Sequence, residues 1–293
     1  MFKIIIVNYK NFYLFKNFFV SGFISEKNRL IFGAISDIDM PCGIISVKYE
    51  NKGIWCIDNF YVLKKYRNLG IGSALLKRLK EMLLEIGYKK IYLKLVASRS
   101  GANLLEKFLV KRGFGKAKIL TKIYRKSPKE IYSNKFIKYI LKDCNNKLPS
   151  NLKIVRYNEI NEKVKNNILN EVNITYPWGL SPFINEHNLR DIFSLFVLDT
   201  EQNNLVAWLT VFDAPGDCVL YRSFFVKKEY RNTKVGKILL KKAVENHVKN
   251  LFNKSILFAI SINNLKMEKS CTRYFNLRKE DASYEIIMRG LQC

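Results

Sequence analysis

The amino-acid sequence predicts an α/β protein made of two tandem domains of one type, each a sheet flanked by helices. Two observations carry this. NFYVLKKYRNLGIGSALLK at residues 59–77 aligns without gaps with SFFVKKEYRNTKVGKILLK at residues 223–241, with ten of 19 positions identical at a constant offset of 164. Around both copies, strand-like and helix-like segments recur in the same order. The 293 residues fit two ordinary domains, and 48 % hydrophobic residues with 13 % aromatics supply a core for each.

In the first copy, residues 2–9 read as a buried strand and 11–23 as a short aromatic helix or two turns. Segments 30–36, 42–49 and 54–62 are strands joined by short turns, one of them Asn51-Lys52-Gly53. From Gly72 onward Leu75, Leu76, Leu79, Leu83 and Ile86 recur at helical spacing, and 88–96 alternates as a strand. A second helix over 102–112 is stopped by Gly113, and 114–124 closes the sheet. The second copy repeats the order: strand 152–157, helix 160–172, strands 193–198, 205–212 and 218–226, helix 236–252, strand 255–262, helix 265–277 and closing strand 283–289. Residues 128–148 read as a helical linker carrying Ile131, Phe136, Ile137, Ile140 and Leu141. The expected organisation is a first domain over 1–127, the linker over 128–148 and a second domain over 149–293.

Charge is unevenly distributed. Residues 1–150 hold 30 basic and 10 acidic side chains, whereas 151–293 hold 21 and 15, within a formal total of +26. Such asymmetry points to nucleic acid, anionic lipid or a polyphosphate ligand. A compositional drift towards Lys, Asn and Ile accounts for it equally well, since 38 Lys stand against 13 Arg. No run approaches the roughly 20 apolar residues of a membrane-spanning helix. Lys10 and Lys16 interrupt the apolar opening, so it does not read as a signal peptide. The six cysteines form no CxxC pair and the histidines number two, so no metal site is expected. Free thiols and the lack of a signal pattern predict a cytoplasmic protein, monomeric or a homodimer, with no membrane partner.

Arg67-Asn68-Leu69-Gly70-Ile71-Gly72 lies between a strand and an amphipathic helix. Glycines at 70 and 72 let backbone N–H groups crowd together at a helix N-terminus, a site for phosphate oxygens. Arg67 adds a charge-assisted donor. Neither GxGxxG nor GxxxxGK[ST] is present, which excludes the dinucleotide fingerprint and the Walker A loop.

Arg-x-x-Gly-x-Gly after a strand ending in Tyr61-Val62 resembles motif A of the Gcn5-related N-acetyltransferases (the GNAT superfamily). Both copies share the element order, so the resemblance covers nearly the whole chain. It implies two tandem GNAT-like domains, each a mixed, mostly antiparallel sheet splayed between its fourth and fifth strands. It implies binding of acetyl-CoA or another acyl-CoA, with the diphosphate on the amides of Leu69, Gly70, Ile71, Gly72 and Ser73 beside Arg67 and Asn68, and the pantetheine arm along Tyr61 and Val62. The implied activity is transfer of acetyl to a primary amine of a small molecule, amino acid or peptide, by direct attack on the thioester. That chemistry needs positioning, a proton acceptor for the amine, and a donor at the developing oxyanion.

Differences between the copies assign roles. The second has Lys234 where the first has Gly70, and Arg222-Ser223 where the first has Asp58-Asn59. Relatives often carry a carboxylate used as general base at the position of Asp58, so the N-terminal domain is the expected catalytic one and the C-terminal domain is degenerate, shaping the acceptor site or serving structure. Asp58 reads as that base or as a structural carboxylate, and Asn59 as an acceptor ligand or an edge cap. The Tyr that relatives use as acid falls on Leu109, leaving Ser98 and Ser100 as substitute donors. In the second copy Cys271 and Tyr274 read as packing residues. Tyr176, Trp178 and His187 line an acceptor pocket or form an aromatic plug, and His247 is expected to be solvated. Two rival functions stand beside the transferase: a catalytically inactive acyl-CoA sensor, and a nucleic-acid-binding protein using the basic run Lys111, Arg112, Lys116, Lys118, Lys122, Arg125, Lys126 and Lys129. The latter lacks an RNA- or DNA-binding motif and interleaved aromatics.

Overall fold

The computed structural model describes residues 1–19, 28–142, 147–184, 186, 189–214 and 217–292. In chain order its elements are β1 (Phe2–Ile6), α1 (Phe12–Phe15), β2 (Arg29–Ser36), β3 (Pro41–Asn51), β4 (Ile54–Val62), α2 (Ile71–Glu85), β5 (Lys90–Ser98), α3 (Arg99–Val110) and β6 (Lys118–Lys126). They continue as α4 (Pro128–Ser133), α5 (Lys135–Lys142), β7 (Leu152–Val155), α6 (Glu162–Asn170), β8 (Leu195–Asp199), β9 (Asn204–Ala214), β10 (Cys218–Val226), α7 (Val235–Asn250), β11 (Ser255–Ser261), α8 (Leu265–Phe275) and β12 (Ser283–Gln292). No helix among the described residues is long and apolar enough to cross a membrane.

Two compact units result, and their division differs from the sequence boundary. The first takes Met1–Lys122 together with the C-terminal segment from Ala282; the second takes Ile123–Asp281. In the first unit β1 to β4 form an antiparallel meander. β5 then pairs parallel with β4 and antiparallel with β12. The closing strand read into the second domain is thus the last strand of the first unit, with Ser283 opposite Ser98 and Arg289 opposite Tyr92. Its inward residues Ile286 and Met288 are fully buried. Gly290 permits the fit, since a Cβ there would stand 2.3 Å from the Ile91 carbonyl oxygen. The alternating pattern of a closing strand shows that one face is buried and leaves open which sheet edge receives it.

The second unit repeats the arrangement, with β7 to β10 antiparallel and β11 parallel to β10. Ile123–Lys126 of β6 lies on the far side of β11, where Arg125 Nη2 donates to Ser255 Oγ at 3.2 Å. The linker segment is two helices of this unit. Ser127 and Glu130 form a capping box at the start of α4, and Asn134 breaks the run and caps α5 through Ile137 N–H at 3.0 Å. Ile131 joins the core cluster of Leu195, Val197, Val206 and Leu239, so the segment packs as part of the domain.

Each unit lays its long helix on the sheet. Leu75, Leu76, Leu79 and Leu83 of α2 are buried, each stabilising by about 1.5–3 kcal/mol. On α7 the buried stripe is Val235, Leu239, Ala243 and His247. Against expectation His247 is only 2 % exposed. Its spacing of four from Ala243 places it on the apolar face, and burial pushes its pKa down to about 4.

Candidate active site

The first unit's site is built where β4 and β5 part. Their parallel ladder runs from Ile54 opposite Lys90 to Ile57 opposite Leu93 and ends there, although the strands continue to Val62 and Ser98. Parting coincides with a bulge: Ser46 faces Asn59 and Val47 faces Ile57, so Asp58 is the extra residue of β4. Such a bulge re-aims a side chain, here to the start of the splay.

Asp58 is held from two sides. Arg29 Nη1 donates to its Oδ2 and Ser46 Oγ to its Oδ1, both at 2.5 Å. The Arg29 side chain is 6 % exposed and that of Asp58 19 %. Burial raises the Asp58 pKa, opposed by the Ser46 hydroxyl and then by the Arg29 charge. Arg29 escaped the sequence reading because it lies on β2, with no spacing signal linking it to β4. Asn59 donates from Nδ2 to the Phe18 carbonyl at 2.9 Å, tying the segment after α1 to the strand.

After β4 a 3₁₀ turn over Lys64–Tyr66 leads into the loop. Arg67 Nε reaches back to the Val62 carbonyl at 3.0 Å, and its guanidinium lies 5.7 Å from the half-exposed Tyr61 ring. Asn68 and Gly70 both take left-handed backbone, with φ of 64° and 81°. No side chain caps the α2 N-terminus, and the space a Cβ would take at Gly70 is open. Uncapped amides beside the open space at Gly70 fit the diphosphate of an acyl-CoA. Arg112, read only as part of a basic run, also belongs here. Its Nη2 donates to Ser73 Oγ at 2.7 Å, its Nη1 to the Phe108 carbonyl, and its guanidinium packs 3.7 Å from the Phe108 ring. That brings a second cation to the first turn of α2.

The substitute acids fare differently. Leu109 is fully buried, and Ser98 Oγ caps α3 by accepting from Gly101 N–H at 3.1 Å. In the second unit the corresponding loop changes shape: Lys234 is in ordinary helical backbone at φ −75°, and Thr233 Oγ1 accepts from Val235 N–H at 3.2 Å. Cys271 is buried with its thiol pKa pushed up to about 11, and Tyr274 stacks on Phe136 at 4.3 Å. Tyr176, Trp178 and His187 do not assemble a described pocket. Tyr176 is a core residue, 2 % exposed, donating to the Ile168 carbonyl and packed against Trp208 and Phe225. Trp178 is exposed, and His187 lies outside the described residues. A large aromatic beside Pro177 is as apt for a core as for a pocket, which sequence alone does not separate.

Comparison with known proteins agrees with this geometry. The acetyltransferase (GNAT) family matches residues 3–114 and 166–269, one region in each sequence copy. Among solved structures, the chain is similar to a tandem GNAT protein from the clavulanic acid biosynthesis pathway, at TM-score 0.71 and 10 % identity over 98 % of both chains. It is also similar to a GCN5-related N-acetyltransferase from Sphaerobacter thermophilus, at TM-score 0.58 and 10 % identity over 93 % of this chain and 85 % of that one. At such identities the likeness is one of fold. No curated protein matches the sequence. The duplicated family match, the splayed sheets and the tandem fold together make this chain a member of the acetyltransferase (GNAT) family, with two GNAT domains in tandem.

Proposed function

We propose that the protein is an acyl-CoA-dependent N-acyltransferase, acting most naturally with acetyl-CoA on a primary amine of a small molecule, amino acid or peptide, and that its first unit is the catalytic one. The observation that carries this reading is the Arg67–Gly72 loop. Its two left-handed residues and uncapped helix N-terminus stand beside a splay that opens at a bulged carboxylate. Bound acyl-CoA would supply the activated thioester. The amides from Leu69 to Ser73 bind the diphosphate, with Arg67 and Arg112 adding positive charge, while Tyr61 and Val62 border the pantetheine arm. Asp58 attracts the acceptor ammonium and takes its proton, and Arg29 and Ser46 fix the carboxylate. With Leu109 buried and Ser98 capping a helix, no side chain is assigned as acid, and the thiolate is protonated by solvent.

Thiol release from acetyl-CoA against a panel of amines, amino acids and peptides tests the proposal. Amine-dependent release of free thiol is the expected result. Saturable acetyl-CoA binding with no release against any amine would overturn it in favour of a sensor.

A further inference from the structure

Where the first unit carries a bulged carboxylate, the second carries a bulged cation. Tyr221 faces Val211 and Ser223 faces Thr210, which makes Arg222 the extra residue of β10. The β10–β11 ladder ends one residue earlier, with Tyr221 opposite Phe258. Residue 222 therefore stands at the opening of the second splay, as Asp58 does at the first.

The two charges are treated differently. Asp58 is neutralised within its own unit by Arg29. Arg222 donates from Nη1 to the Ser181 carbonyl at 3.2 Å and lies 5.2 Å from the Phe212 ring, and no carboxylate among the described residues pairs with it. Arg190 is already paired with Asp213. Thr210, the counterpart of Ser46, is hydrogen-bonded through its hydroxyl to that of Ser223 at 2.6 Å and leaves residue 222 alone. Burial alone lowers the Arg222 pKa, with no acidic neighbour opposing it. A guanidinium does not shed its proton inside a protein, so this is a partly desolvated cation with no counter-ion among the described residues, an arrangement a folded chain keeps only at a cost.

We propose that the bulge of the second unit is a binding site for the carboxylate of a small-molecule ligand, with Arg222 as its anchor. The planar fork of Arg matches two carboxylate oxygens. One monovalent cation beside an aromatic ring, with the nearby hydroxyls bonded to each other, balances a carboxylate monoanion and leaves a phosphate dianion under-compensated. The site is separate from the acyl-CoA loop and does not rest on the proposed transfer reaction.

Titration of the full-length ¹⁵N-labelled protein with acetate, benzoate and inorganic phosphate tests this, read at the Arg222 Nε–Hε resonance. Both carboxylates are expected to shift it saturably, and phosphate more weakly than either. Arg222→Gln removes binding, followed by the ligand's own signals. Arg222→Lys keeps the charge and a donor for Ser181 but weakens binding about fivefold or more by losing the fork. Should the Gln variant fail to fold, the Lys variant decides. Linear, non-saturating shifts, unchanged affinity in Arg222→Lys, or phosphate binding tighter than acetate would each overturn the proposal.

Discussion

The two loops Arg67–Gly72 and Arg231–Gly236 share their Arg, their Asn and their final Gly, and both Arg side chains reach back to the strand-end carbonyl at 3.0 Å. They differ at three positions, Leu69 against Thr233, Gly70 against Lys234 and Ile71 against Val235, and the middle one changes the backbone. Gly70 at φ 81° follows a left-handed Asn68 and leaves the α2 amides uncapped. Lys234 sits in helical backbone, and Thr233 takes up the Val235 N–H. A duplicated scaffold has kept its strand, turn and helix in both places, while the residue before the helix is left-handed in only one and the Val235 N–H is taken up by a side chain in the other. The contrast between the loops lies in backbone conformation at one residue more than in the motif as a whole.

Copying the second loop into the first is the strongest way to break this contrast. Gly70→Lys forces an L-residue into left-handed backbone and fills the open cradle. It should lower kcat/KM for acetyl-CoA by about 1,000-fold, from roughly 1–2 kcal/mol of strain plus lost charge-assisted contacts. Steady-state thiol release checks it.

His247 offers a contrast in stability, because α2 has no ionisable residue at the matching position, Leu83. With a folded pKa of about 4 against an ordinary value near 6.5, the unfolded chain binds the proton more readily. Stability should be full above pH 6.5 and decline as pH falls towards 4, by about 3 kcal/mol. His247→Leu should flatten that slope in chemical denaturation at pH 5 and pH 8, and an unchanged slope would contradict the burial argument.

Asp58→Asn keeps the shape of the bulge and removes the proton acceptor. We expect kcat to fall about 100-fold with KM for acetyl-CoA within twofold; unaltered turnover would reduce Asp58 to a partner of Arg29. Arg112→Ala should have the smallest effect, raising the dissociation constant of acetyl-CoA about tenfold, as expected for one half-exposed charge-assisted contact. Calorimetry reads it directly.

Much of this was legible in the residues. The offset of 164 reveals the duplication, and Gly70 with Lys234 separates the copies from the sequence alone. What stayed hidden was set by long-range pairing. Arg29 meets Asp58 across β2, β3 and β4, and Arg112 meets Ser73 from the end of α3. Neither contact leaves a periodic trace. β12 looked like the end of the second copy because its alternation fits any half-buried strand, while Gly290 and the Ile91 backbone decide where it lies. The burial of His247 does leave a trace, since 239, 243 and 247 form one helical stripe.

The central claim is that the first unit alone holds the acyl-CoA. The most direct measurement is a crystal structure of the protein soaked with coenzyme A. The account predicts diphosphate density on the amides of residues 69–73 with Arg67 and Arg112 beside it, and none at the second loop. Density confined to residues 231–236 would contradict it.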